Sequence, residues 1–256
     1  MRDPDALREL VDERLRSLSL APELGRREQA VRYPLEAGGK RIRPVLCLAV
    51  AEAAGAPAES ALDAACAVEL VHTFSLVHDD LPALDDDDER RGRPSAHLAF
   101  GEGVALLAGD ALLVEAFRLA LRDESTAIAR ELAAATLGMI GGQYRDISGD
   151  DGDLVELHRL KTGRLFAAAV GCGLWAAGVP EAQQGVWRAF GEELGLLFQV
   201  VDDVLDGDGY VELVGDEAAR DLATDAAERA RACLDAVPAD TAVLAALVDV
   251  LAVRTS

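Results

Sequence analysis

The chain has 256 residues, 50% of them hydrophobic and only 4% aromatic, with a formal net charge of −21 at pH 7. That length allows one large domain or two small ones with a sizeable core, and so acidic a surface excludes nucleic acid and anionic lipid as partners by repulsion. Ala and Leu abound and β-branched runs between turn residues are nearly absent, so the expectation is all helix and no sheet.

Apolar residues recur at three- and four-residue spacing, broken by Gly, Pro or Asp clusters. The spacing predicts helices over 4–20, 22–33, 41–54, 59–81, 95–107, 109–121, 125–147, 151–160, 162–177, 181–206, 211–236 and 240–253. The first is charged and amphipathic, without the core of a signal peptide. No Gly/Ser-rich linker divides the chain, so residues 1–256 read as a single all-α domain, a helical bundle. The longest uncharged apolar run, Phe166–Val179, is too short to span a bilayer. Cys47, Cys66, Cys172 and Cys233 lie far apart in apolar surroundings and form no Cys-x-x-Cys pair. They read as buried, reduced thiols of a cytoplasmic protein.

The chain holds 23 arginines but only two lysines, Lys40 and Lys161. Lys40 lies in Gly38-Gly39-Lys40-Arg41-Ile42-Arg43-Pro44, with Lys40 and Arg43 on one face of a helix's first turn, where free backbone N–H groups also favour an anion. Helix 59–81 is apolar nearly all round, as suits the middle of a bundle, and ends in Asp79-Asp80-Leu-Pro-Ala-Leu-Asp85. Asp86, Asp87, Asp88 and Glu89 extend that acid run as a solvated loop, and Arg90-Arg91-Gly92-Arg93-Pro94 follows as a cationic loop whose guanidinium forks suit phosphate oxygens. Internal pairing of the acidic and basic runs is the plainer alternative. Helix 181–206 is also largely apolar and ends in Asp202-Asp203-Val-Leu-Asp206, with Asp202 and Asp206 on one face. A solvated helix end capped by Gly207 would account for it. Yet three carboxylates at a helix C-terminus oppose the macrodipole, which favours a bound cation. Oxygen-rich groups of this kind bind Mg²⁺, which in turn holds phosphate.

Together these motifs resemble the trans-isoprenyl diphosphate synthase family, the farnesyl and geranylgeranyl diphosphate synthases, over roughly residues 36–206. Gly-Gly-Lys40-x-x-Arg43-Pro is similar to the family's homoallylic-diphosphate site. Asp79-Asp80-x₄-Asp85 with Arg90-Arg91-Gly is similar to its first aspartate-rich motif. Lys161-Thr162-Gly163 and Phe198-Gln199-x-x-Asp202-Asp203-x-x-Asp206 are similar to the later motifs, and Gly142-Gln143-x-x-Asp146 to a further segment.

The resemblance implies a helical bundle of the isoprenoid synthase type with a central cavity, and a prenyltransferase that condenses isopentenyl diphosphate with an allylic diphosphate, dimethylallyl or geranyl. Three Mg²⁺ would be held by Asp79, Asp80, Asp85, Asp202, Asp203 and Asp206. Arg90 and Lys161 would contact the allylic diphosphate, and Lys40, Arg43, His72 and Arg91 the isopentenyl diphosphate. Thr162, Gln199 and the Lys161 carbonyl would stabilise the allyl cation. Phe74, five residues before Asp79, lies about one and a half turns deeper and would floor the elongation tunnel, which implies farnesyl (C15) diphosphate. His97 could touch phosphate, while His78 and His158 read as structural. A homodimer is the family's usual assembly.

One departure stands out. After Asp206 the family has a lysine-bearing loop, here shortened by on the order of fifteen residues to Gly207-Asp208-Gly209-Tyr210. No basic residue occurs between Asp206 and Arg220. That keeps alive a non-catalytic partner subunit, beside a geranylgeranyl diphosphate synthase and a class I terpene cyclase. Asp202-Asp203-Val-Leu-Asp206 does not fit the second metal motif of a cyclase.

Overall fold

The structure is a computed structural model that describes residues 2–123, 125–149 and 154–253. Asp3 caps the first helix, α1 (Pro4–Ser17), accepting from the Ala6 N–H at 2.8 Å, and Leu7, Val11 and Leu15 form its buried stripe. A short 3₁₀ turn precedes α2 (Glu28–Glu36), and α3 (Ile42–Ala53) and α4 (Leu62–Asp79) follow. α4 is buried on every side from Ala64 to Val71, as its composition predicts, and packs against α3 and α6. Each fully buried Leu or Val in it contributes about 1.5–3 kcal/mol.

The helices predicted at 95–107 and 109–121 are instead α5 (Ala96–Phe100) and α6 (Glu102–Ala120). The break falls at Gly101, whose φ of 87° only glycine adopts without strain. α7 (Ala127–Ser148), α8 (Leu154–His158) and α9 (Arg164–Ala176) come next, and residues 151–153 of the predicted helix 151–160 lie outside the described residues. A π turn over Arg159–Gly163 joins α8 to α9, so the predicted gap between two helices is a local widening of one. α10 (Gly185–Asp206) lies between α9 and α12, and the predicted helix 211–236 divides at Gly215 into α11 (Tyr210–Val214) and α12 (Asp216–Asp235). α13 (Ala242–Ala252) packs on α12 and returns to α3.

Among the described residues every buried apolar side chain but Leu157 belongs to one contiguous cluster. The expectation of no sheet needs one correction. Glu89–Arg90 (β1) pairs antiparallel with Arg93–Pro94 (β2) around Arg91 and Gly92, at φ of 56° and 76°. Two residues at positive φ match the twist of a tight hairpin, which needs no β-branched run. Ala58–Asp79 is, by length and composition, the one stretch among the described residues apolar enough to cross a membrane. It forms the core of the bundle, with 67% of its apolar window buried.

Candidate active site

Two cavities flank the C-terminal half of α4. The first holds about 370 Å³ and is lined by Lys40 and Arg41 just before α3, Arg43 in its first turn, Glu69 and His72 from α4, Arg91 from the hairpin and Phe198 from α10. The Arg43 guanidinium lies 4.4 Å from the Phe166 ring centre and 5.3 Å from that of Phe198, and its Nη1 is 3.4 Å from His72 Nε2. Burial lowers Arg43 to about 10, against the pull of Glu69 and Asp202, so it stays charged at neutral pH. Its Nε is buried without a hydrogen-bond partner. Burial, and then the neighbouring arginines, hold His72 well below its usual range. The ring is therefore neutral and accepts from Arg43. Lys40 is exposed at the rim. A pocket so rich in donors, with one of them unsatisfied, suits an anion with several oxygens.

The second cavity holds about 270 Å³. Phe74, Met139, Ile140 and Ile147 give it an apolar interior, with Asp79, Gln143 and Lys161 among its polar lining. Phe74 is 7% exposed and meets the His78 ring edge-on at 4.8 Å. Both amide atoms of Gln143 are buried without partners. Lys161 Nζ lies 2.5 Å from Asp146 Oδ2 on α7. Gly142 permits this close packing of α7 on the π turn, because a Cβ there would sit 2.7 Å from the Lys161 backbone nitrogen. The π turn sets Lys161 and Thr162, its backbone shifted so that the Arg164 N–H reaches the Arg159 carbonyl. Burial lifts Asp79 to about 6, Lys161 opposes the shift, and Asp85 and Asp80 add to it.

The six aspartates do not act alike. Asp80 is buried and accepts both Nε and Nη2 of Arg90, at 2.9 and 2.5 Å, and Arg90 also holds Asp87 at 2.6 Å. Asp203 is buried and takes Gln199 Nε2 at 2.6 Å and the Tyr210 N–H at 2.9 Å, with His158 Nδ1 3.8 Å away. Burial raises both carboxyls, and these hydrogen bonds draw them back. Of the six aspartates expected to hold Mg²⁺, Asp80 and Asp203 lie on the inner side of their helices and turn to protein partners in this structure. Arg90 is likewise engaged by carboxylates. Gln199 turns to Asp203 and lines a separate cavity of about 160 Å³ with His158 and Tyr210, not either of the two cavities above. Thr162 is half-buried, and Asp85 and Asp206 are exposed. His97 is buried against Ser95 Oγ, 3.0 Å from its Nδ1, rather than open to a phosphate.

Among the described residues no three His, Cys, Asp or Glu side chains form a ready-made metal cage. Mg²⁺ usually takes one or two carboxylates and completes its shell with water and substrate phosphate. Asp79 beside Asp85, and Asp202 with Asp206, have that donor chemistry. The shortened loop after α10 carries no lysine of its own, and Arg220 pairs with Asp216 at 2.9 Å. Sequence reasoning missed Arg41, Glu69, Met139 and Ile140. A lone acid in the apolar helix α4 was the available signal for Glu69.

A model of the polyprenyl synthetase family matches residues 26–228. The chain belongs to the polyprenyl synthetase family. This polyprenyl synthetase is 43% identical over 211 residues to a geranylgeranyl diphosphate synthase of Cyanophora paradoxa, covering 76% of the chain and 70% of the relative. To a farnesyl diphosphate synthase of Bacillus subtilis (strain 168) it is 41% identical over 213 residues, covering 77% and 72%. Its fold matches a solved isoprenoid synthase family member from Thermotoga neapolitana at a TM-score of 0.84, with 33% identity and 96% and 97% of the two chains covered. A solved geranylgeranyl pyrophosphate synthase aligns at 0.90 with 26% identity over the full length of both. The polyprenyl synthetase therefore has the all-α isoprenoid synthase fold and is a short-chain prenyltransferase.

Proposed function

We propose that the protein condenses isopentenyl diphosphate with dimethylallyl or geranyl diphosphate to give farnesyl (C15) diphosphate. The observation that carries this reading is the pairing of a donor-lined cavity with an apolar one across α4. Lys40, Arg43, His72 and Arg91 bind the diphosphate of the attacking substrate. Asp79, Asp85, Asp202 and Asp206 are the carboxylates fit to hold Mg²⁺, which when bound supplies Lewis-acid charge to the leaving pyrophosphate. Lys161, held against Asp146 and close to Asp79, adds a cation to the allylic diphosphate. Phe74, Met139 and Ile140 exclude water from the allyl cation, and the unpaired Gln143 amide offers it a dipole. Among the described residues no side chain is set as the general base, and the resemblance to the family gives the proton lost after condensation to the departing pyrophosphate.

The aromatic ring of Phe74 in the apolar cavity supports C15 over C20. The relatives' names do not discriminate, since they include both farnesyl and geranylgeranyl synthases at similar identity. A homodimer belongs to the same reading. Its support is the row of exposed apolar side chains on α6 and α7, among them Leu107, Val114, Leu137 and Tyr144, 65–72% exposed. Sedimentation of the Leu137→Glu variant as a monomer would bear it out. The setting we take is the cytoplasm, supported by the four free thiols.

The deciding experiment incubates the purified protein with Mg²⁺, isopentenyl diphosphate and each allylic diphosphate. Longer diphosphates establish the synthase. Hydrocarbons instead would mean a cyclase, and no turnover would mean a non-catalytic partner subunit.

A further inference from the structure

Arg41 lies inside the motif that lines the donor-rich cavity, yet its guanidinium points away from solvent, with the side chain 2% exposed. Each of its three nitrogens meets a different element. Nε donates to Asp12 on α1 at 2.9 Å, Nη1 to Glu69 on α4 at 2.5 Å, and Nη2 to the Leu35 carbonyl near the end of α2 at 2.7 Å. The backbone of Arg41 is left-handed, at φ 50° and ψ 32°, directly before α3, and its carbonyl accepts the Val45 N–H at 3.0 Å. A bulky residue stays in that region only where its surroundings over-determine it. Here three elements do so through one planar fork, a geometry lysine cannot reproduce. On either side of the held turn stand Lys40 and Arg43. Glu69, itself 2% exposed, lies beneath the cluster, and its charge also favours the protonated forms of Arg43 and Arg91. The Arg91 guanidinium donates to the Gly38 carbonyl at the start of the same turn.

We propose that Arg41, clamped by Asp12, Glu69 and the Leu35 carbonyl, is a positioning residue: it fixes the left-handed turn that aims Lys40 and Arg43 at a diphosphate, with Glu69 as the buried counter-ion that lets three guanidinium groups stand together. This rests on the reading that the donor-rich cavity takes isopentenyl diphosphate. The clamp ties the packing of α1 and α2 to the affinity of that cavity, so damage at the N-terminal helices is read as weakened substrate binding.

The test compares Arg41→Gly, which keeps the left-handed backbone but removes the clamp, with Arg41→Lys and the isosteric Glu69→Gln. Binding of isopentenyl diphosphate is measured by calorimetry, and KM for each substrate and kcat by steady-state turnover. Circular dichroism melting checks the fold. The expected result is an isopentenyl diphosphate Kd and KM raised on the order of ten- to a hundredfold in Arg41→Gly and Glu69→Gln, as for a misaimed binding group. KM for the allylic substrate and kcat at saturation stay unchanged, and Arg41→Lys does not rescue. An unchanged isopentenyl diphosphate KM in a folded variant would overturn the proposal, as would equal loss in both KM values and kcat. If Arg41→Gly does not fold, Glu69→Gln decides by the same criteria. Lys40→Ala and Arg43→Ala separate the two readings. If they also leave isopentenyl diphosphate binding intact, the assignment of the cavity fails. If they abolish it while the clamp variants do not, only the role of Arg41 fails.

Discussion

Replacing Phe74 by alanine should lengthen the product by one isoprene unit. The ring is 7% exposed, lines a cavity of about 270 Å³ and is steadied by the edge of His78 at 4.8 Å. Truncation removes about six carbons, slightly more than the roughly five of one isoprene unit, so the space gained matches one further condensation. Phe→Ala in a core costs about 3–5 kcal/mol, and the low end applies here because the ring already borders open space. About 3 kcal/mol corresponds to a fall in Tm of about 6–12 °C for a chain of this size, which leaves the variant folded at assay temperature. The assay is chromatography of the dephosphorylated products against C15 and C20 alcohol standards, with melting curves alongside. A folded Phe74→Ala protein that still stops at the wild-type length would refute the reasoning, and Phe74 would then be a packing residue alone.

Three further outcomes follow from the same geometry. Asp79→Ala should lower kcat at least a hundredfold and raise the Mg²⁺ requirement, whereas Asp80→Ala should chiefly destabilise, by about 1–3 kcal/mol, since it leaves the Arg90 fork without its buried acceptor. Equal losses of turnover and stability in both would contradict that division. Magnesium should saturate this enzyme at severalfold higher concentration than a relative that carries the lysine loop, because the only cation soon after α10, Arg220, is paired with Asp216. Superimposable magnesium titrations would rule this out. Burial pushes Cys47 up to about 12 and raises Cys66 and Cys172 as well, so at pH 8 none of these is a thiolate. A thiol reagent should label native protein only at the half-buried Cys233, and slowly, which mass spectrometry of the intact protein would show; rapid labelling at more than one site would mean the core opens.

Some of this was legible without coordinates because the information is local. The three- and four-residue periodicity marked the long helices, and spacing along one turn put Asp202 beside Asp206 on α10, whereas Lys40 and Arg43, expected on one helical turn, instead flank the left-handed Arg41 that precedes α3. The aspartate clusters stood out because charge at the end of an apolar helix is costly unless it serves a polar cavity.

Other features belong to the packed molecule. Residues next to each other in sequence point to different sides of a helix, so Asp79 lines a cavity while Asp80 turns inward to Arg90. Gln199 and Asp203 stand one turn apart on α10, but no pattern along the chain announces that the backbone of Tyr210 would also take Asp203, because that contact depends on how the shortened turn folds α11 back on α10. Nor does sequence reveal that Arg41 would meet residues 29 and 28 positions away, Asp12 and Glu69, in one buried fork. The residue types capable of the chemistry were set by the sequence. Tertiary packing decided which of them face substrate and which hold the others in place, because burial and partner geometry, not identity, determine what a charged side chain can reach.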